Sequence, residues 1–248
     1  FAARRPHSRI VRSPRDALPG SLIEDFLICT GQVLWTIPQV WIGGRRTWNV
    51  TAQERARELP ADGMVKDALK LDRAITIARP PAEVWPWVAR FGRGAGYYSW
   101  DFLDNRGHRH ADYLVDAPEP AVGDANKLLG TIRHVDAGRE LVWYEEADDF
   151  QKILGARVPN AFAFRIDPSE GGGTRVHLRL SIGIPRTLLA RAIGRLVTLL
   201  DHVMATEMLR RLKFLVETHE ERSRLGETNR ALAPHQKPGE FRPVTAAP

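Results

Sequence analysis

Aromatic and polar groups are most densely mixed at Tyr97-Tyr98-Ser99-Trp100-Asp101-Phe102-Leu103-Asp104-Asn105. Asp101 in that run can accept a proton or a hydrogen bond beside aromatic rings. A structural reading competes, in which Tyr97, Trp100 and Phe102 fill a core while Asp101, Asp104 and Asn105 cap helix ends. His134 alternates with Ile132 and, facing inward, would offer an acid or base near neutral pH. Glu145 follows Leu141 and Trp143 at a period of two, so it shares their face and becomes a candidate buried carboxylate at a strand end; a register slip of one residue inverts that assignment. His177 falls on the face of Arg175 and Arg179 and is expected at solvent. His108 and His110, with Asp112, have the spacing of two metal ligands, but no third and fourth ligand is near and loop histidines are the better reading, so no metal is assigned. Nucleotide-binding loops, H-E-x-x-H and a nucleophile elbow are missing from the sequence, and no cofactor is implied.

The elements that must position these groups follow from period and punctuation. Leu71, Arg73, Ile75 and Ile77 alternate onto one face of a strand, which is expected to be a core face. Pro80-Pro81-Ala82-Glu83 starts a helix with an apolar stripe of Val84, Trp85, Trp87, Val88 and Phe91. Four further strands are expected at 128–135, 139–146, 160–167 and 174–184, separated by turn signals. Across Gly171 to Gly173, Phe162, Phe164 and Ile166 match Val176, Leu178, Leu180 and Ile182 as a hairpin. From Pro185 to about Arg224, apolar residues recur at helical spacing without a further proline, which gives one long amphipathic helix whose length suits a bend near Gly194 or Asp201.

Upstream, Leu22 to Ile42 is apolar and uncharged from Phe26 to Gly44, near the length of a membrane span. Gln32, Gln39, Gly31 and Pro38 lower its hydropathy, while Trp35 and Trp41 suit a packed or interfacial helix. Thr51 with Glu54 forms a capping box for a short helix in the connector that follows. The organisation is then a basic arm at 1–20, an apolar helix and connector at 21–70, a folded domain at 71–224 and a proline-rich tail at 225–248.

Composition bounds the classes. The 248 residues, 43% hydrophobic and 27% charged, suit one globular core with extensions. A single cysteine, Cys29, excludes an internal disulfide and fits a cytoplasmic setting, with membrane association through the apolar helix left open. Most of the net charge of +6 sits on Arg4, Arg5, Arg9, Arg12 and Arg15, which read as a solvated arm, so no nucleic-acid partner is assigned. The chain starts at Phe1 and not at methionine, which leaves a preceding segment open.

The run Arg73-Ala74-Ile75-Thr76-Ile77, then Pro80-Pro81-Ala82-Glu83-Val84-Trp85-Pro86-Trp87 and Tyr97 to Asn105, resembles bacterial members of the polyketide cyclase and START-related lipid-binding superfamily, over roughly residues 58 to 219. The resemblance implies an α+β helix-grip fold, in which a twisted antiparallel sheet wraps around a long C-terminal helix with an internal apolar cavity. It also implies a hydrophobic small molecule, a lipid, steroid or polyketide, as partner. In that arrangement the cavity wall is expected from Trp87, Phe91, Tyr97, Tyr98, Trp100, Asn105, Trp143, Phe162 and Phe164. Two functions follow: a binding or carrier module, or a cyclase or dehydratase in which Asp101, His134 or Glu145 moves protons. A third reading uses the apolar helix and arginine arm for attachment to a membrane surface.

Overall fold

Period-two patterning builds most of the architecture. The computed structural model describes residues 22–42, 44–94, 97, 99–100, 102, 113–126, 129–146, 158–184 and 187–225. The strands are β1 (Thr47–Trp48), β2 (Leu69–Ile77), β3 (Ala125–Asn126), β4 (Gly130–Asp136), β5 (Glu140–Glu145), β6 (Asn160–Pro168) and β7 (Thr174–Ile182). The helices are α1 (Leu22–Trp41), α2 (Ala52–Ala56), α3 (Pro81–Val88) and α4 (Leu188–Leu225). The strands form one sheet in the order β1-β2-β7-β6-β5-β4-β3, antiparallel except for the short edge pair β1 and β2.

The hairpin β6–β7 has the expected partners: Phe162 faces Leu180, Phe164 faces Leu178 and Ile166 faces Val176. Its concave face joins Ile75 and Ile77 of β2, Leu141 and Trp143 of β5 and Ile132 of β4. Against this surface lie Val84, Trp85, Trp87 and Val88 of α3 and Met208, Leu209, Leu212 and Leu215 of α4. Each such side chain contributes on the order of 1.5–3 kcal/mol when taken out of water. The chain is thus an α+β helix-grip protein, with the sheet closed around the 38-residue α4. No helix among the described residues is long and apolar enough to cross a membrane. Instead α1 packs against α4, burying Thr36 and Val40 on one stripe.

The connector does more than link. Thr51 caps α2, its hydroxyl accepting from Glu54 N at 3.1 Å while Thr51 N donates to Glu54 Oε2 at 2.7 Å. This segment lies over the convex face of the sheet and covers Asp72, His177 and Arg179. Arg179 spends all five guanidinium N–H groups there, on Asp72, Asp62 and the backbone carbonyls of Glu54, Arg55 and Arg57. His177, expected at solvent, is 1% exposed and pairs through Nε2 with Asp72 Oδ1 at 2.8 Å. Alternation identified its face correctly, but alternation cannot reveal that another segment covers that face. Burial raises the Asp72 carboxyl, and the hydrogen bonds from His177 and Arg179 outweigh it, leaving Asp72 below its ordinary range.

Candidate ligand-binding site

The concave face carries a continuous cross-strand row, Leu71–Leu180–Phe162–Trp143–Ile132. All of its members are buried except Phe162, which keeps partial exposure at the centre of the sheet. Phe162 packs on two clusters at once. One is the main core; the other comprises Leu71, Val158, Leu180 and Ile182, with Leu69, Ile184 and Val197 alongside.

Beyond that second cluster lies a cavity of about 650 Å³, open to solvent on one side and within the usual range for small-molecule sites. Its apolar wall comes from Val40 and Trp41 of α1, Ile42, Leu69 of β2, Ile184 after β7 and Leu188 of α4. Its polar groups among the described residues are Arg46, Arg191, Arg195 and Thr198, with no carboxylate among them. Gly194 is what brings α4 close here, since a Cβ on it would stand 3.0 Å from Ile184 Cδ1.

Between this cavity and the main core, two charges meet inside the grip. Arg73 points inward from β2, is fully buried, and places Nη2 2.7 Å from Asp201 Oδ2 on α4. It also donates Nη1 to the carbonyls of Arg46 and Asp72. Burial raises the Asp201 carboxyl against the pull of Arg73. The next residue, His202, is buried as well; burial, with Arg73, Arg45 and Arg210 nearby, lowers its pKa to about 4 and keeps it neutral at physiological pH. The sequence reading placed Arg73 on the core face but did not single out Asp201 or His202. The signal was present, as a carboxylate and an imidazole interrupting the apolar run Leu196 to Val203.

The expected site residues fall into three groups. Trp87, Phe91, Tyr97, Trp100, Trp143 and Phe164 are buried, and Phe91 sits with its ring centroid 4.8 Å from Phe164, 6.0 Å from Tyr97 and 6.1 Å from Phe162. Trp87, Phe91, Tyr97, Trp143 and Phe164 belong to the main core, while Trp100 lies with its ring centroid 6.1 Å from that of Phe102. Tyr98, Asp101 and Asn105, like His108, His110 and Asp112, lie outside the described residues. Glu145 does share the face of Leu141 and Trp143, half-buried opposite Asn160. Its Oε2 would lie 2.8 Å from a Cβ at Gly130, where φ is +77°.

His134 does not face inward. Ile132 pairs with Trp143, but a bulge at Arg133 advances β4 two residues for one on β5, so His134 pairs with Val142 on the convex face. There its Nε2 lies 3.1 Å from Glu140 Oε2, and Glu140 also accepts from Arg165. Strict alternation with Ile132 fails because the bulge inserts one residue.

The strand order and α4 define a helix-grip protein. Solved structures similar to this chain include DynU16, a protein in the dynemicin biosynthetic locus, at 14% identity and a TM-score of 0.38, covering 60% of this chain and 48% of that one. This chain therefore spans about half of DynU16. Protein MLL2253 from Mesorhizobium loti matches at 15% identity and a TM-score of 0.35, over 60% of this chain and 97% of that one. Ara h 8.0201 matches at 13% identity and a TM-score of 0.37, again over 60% and 97%. Neither a family model nor a curated protein matches. The fold assignment rests on the strand order and on α4, not on these distant likenesses.

Proposed function

We propose that this protein binds a hydrophobic small molecule, an amphiphile whose apolar body lies between the sheet and the first half of α4 and whose acidic head meets arginine. The observation that carries this reading is the cavity of about 650 Å³ whose described lining has an apolar wall, three arginines and no carboxylate. An apolar wall favours the body of such a ligand through water release, and guanidinium groups favour a carboxylate or phosphate head through paired N–H donors. A cyclase or dehydratase reading draws less support, because His134 pairs with Glu140 on the convex face.

Native mass spectrometry of the purified full chain tests the proposal, followed by titration with a fluorescent fatty acid. A co-purified lipid-sized adduct, or saturable micromolar binding of the fatty acid, is expected. An empty protein that takes up no fatty acid would remove the reading.

A further inference from the structure

We propose that α1 and the first half of α4 together form a docking face for an anionic bilayer surface. Every exposed large hydrophobic side chain among the described residues, Val122 excepted, lies on α1, on Ile42 just after it, or on α4 between Leu188 and Leu200. Trp35 is 76% exposed, Leu188 81% and Ile42 88%. Scattered apolar residues on a surface need no explanation, but one contiguous patch of this kind marks an interaction site.

Charge selects the occupant. Over Phe26 to Val50 and Thr187 to Leu200, the charged residues are Arg45, Arg46, Arg191 and Arg195, with no Asp or Glu. Arg46, Arg191 and Arg195 are exposed. A second copy seated on this face would set Arg46, Arg191 and Arg195 against their own copies, with Glu24 and Asp25 at the start of α1, outside both stretches, as the acids on that helix. An anionic bilayer meets both halves of the pattern: leucines and tryptophans enter the interfacial zone while arginines reach lipid phosphates. Tryptophan is also the residue favoured at that depth. With 20 residues α1 is long enough to span but not apolar enough, so in this proposal it lies along the surface. Trp41, Ile42 and Leu188 belong both to this face and to the cavity wall, so docking would set the cavity mouth against lipid. That last consequence rests on the ligand reading above; the docking itself does not.

Flotation of the full chain with vesicles of phosphatidylcholine alone, or mixed with phosphatidylglycerol, tests this. Partitioning is expected with the mixed vesicles only, reduced by high salt, and at least tenfold lower in the double variant Leu34→Glu/Trp35→Glu. Both positions are exposed and lie outside the cavity wall, so circular dichroism should be unchanged. Because the variant retains the arginine arm, equal partitioning of variant and parent would assign binding to the arm and overturn the proposal. So would no partitioning, or a dimer in light scattering that the same variant dissociates. Leu34→Glu/Trp35→Glu should keep the fatty-acid affinity of the parent while losing flotation, since neither position lines the cavity, which separates failure of docking from failure of the ligand reading.

Discussion

Arg73 and Asp201 are 128 positions apart in sequence and meet at 2.7 Å inside the grip, one from the concave face of the sheet and one from α4. Buried charges of this kind contribute little net stability as a pair but are costly to separate. Their position ties the register of α4 to β2 at the boundary between the aromatic core and the cavity. Downstream on α4, Lys213 Nζ donates to Thr76 O at 2.7 Å and Ala78 N donates to Glu217 Oε1 at 2.7 Å, extending the same line of contact.

Arg73→Met should destabilise the protein by about 3–5 kcal/mol, because it leaves Asp201 buried without its partner. The double variant Arg73→Met/Asp201→Leu should recover most of that loss. Urea denaturation of the two variants checks it, and a double variant no more stable than the single one would show that the pair does not act as a unit.

Acid should weaken the fold in two windows. His202 has a folded pKa of about 4 against an ordinary 6.5, so the unfolded chain binds the extra proton, and stability falls as pH drops from 6.5 toward 4. Glu54 is held at about 2 against an ordinary 4.5, chiefly by its hydrogen bond from Arg175. Its contribution, on the order of 3 kcal/mol, is present above pH 4.5 and lost as pH falls toward 2. Melting temperature against pH should lose the upper window in His202→Gln and the lower one in Glu54→Gln.

Gly194→Leu should fill the cavity. A Cβ there already approaches Ile184 Cδ1 at 3.0 Å and Leu69 Cδ2 at 3.8 Å, so the rest of the side chain must enter the open volume. Fatty-acid affinity is expected to drop at least tenfold while far-ultraviolet circular dichroism is retained. Unchanged affinity would place the ligand elsewhere.

Gly130→Ala should cost about 1–3 kcal/mol from backbone strain at φ +77°, with more from steric overlap. The new Cβ would stand 2.2 Å from the Tyr144 carbonyl oxygen and 2.8 Å from Glu145 Cα, both backbone atoms that cannot swing aside. Thermal denaturation reports it directly, and a shift under one degree would contradict the geometry.

Much of the fold was legible because it is written in local periods. Phe162, Phe164 and Ile166 faced the expected partners, Thr51 and Glu54 formed their capping box, and α4 ran as one helix, since period and punctuation are properties of neighbouring residues. Even the inward direction of Arg73 could be read from Leu71, Ile75 and Ile77. His134 could not, because a single inserted residue at the bulge changes its face without changing the composition of the strand.

The sequence by itself therefore determined the longer strands and helices and, away from the bulge in β4, which side chains share a face. Tertiary structure alone decided which distant charges meet, which exposed-looking face is covered, and where space is left. Asp201 lies opposite Arg73 only because α4 crosses the sheet there, and His177 is buried only because the α2 segment folds back over it. The cavity exists only where α1, Leu69, Ile184 and Gly194 fall short of filling the space between them. These are long-range packing outcomes, set by how rigid elements fit together, and no local pattern encodes them.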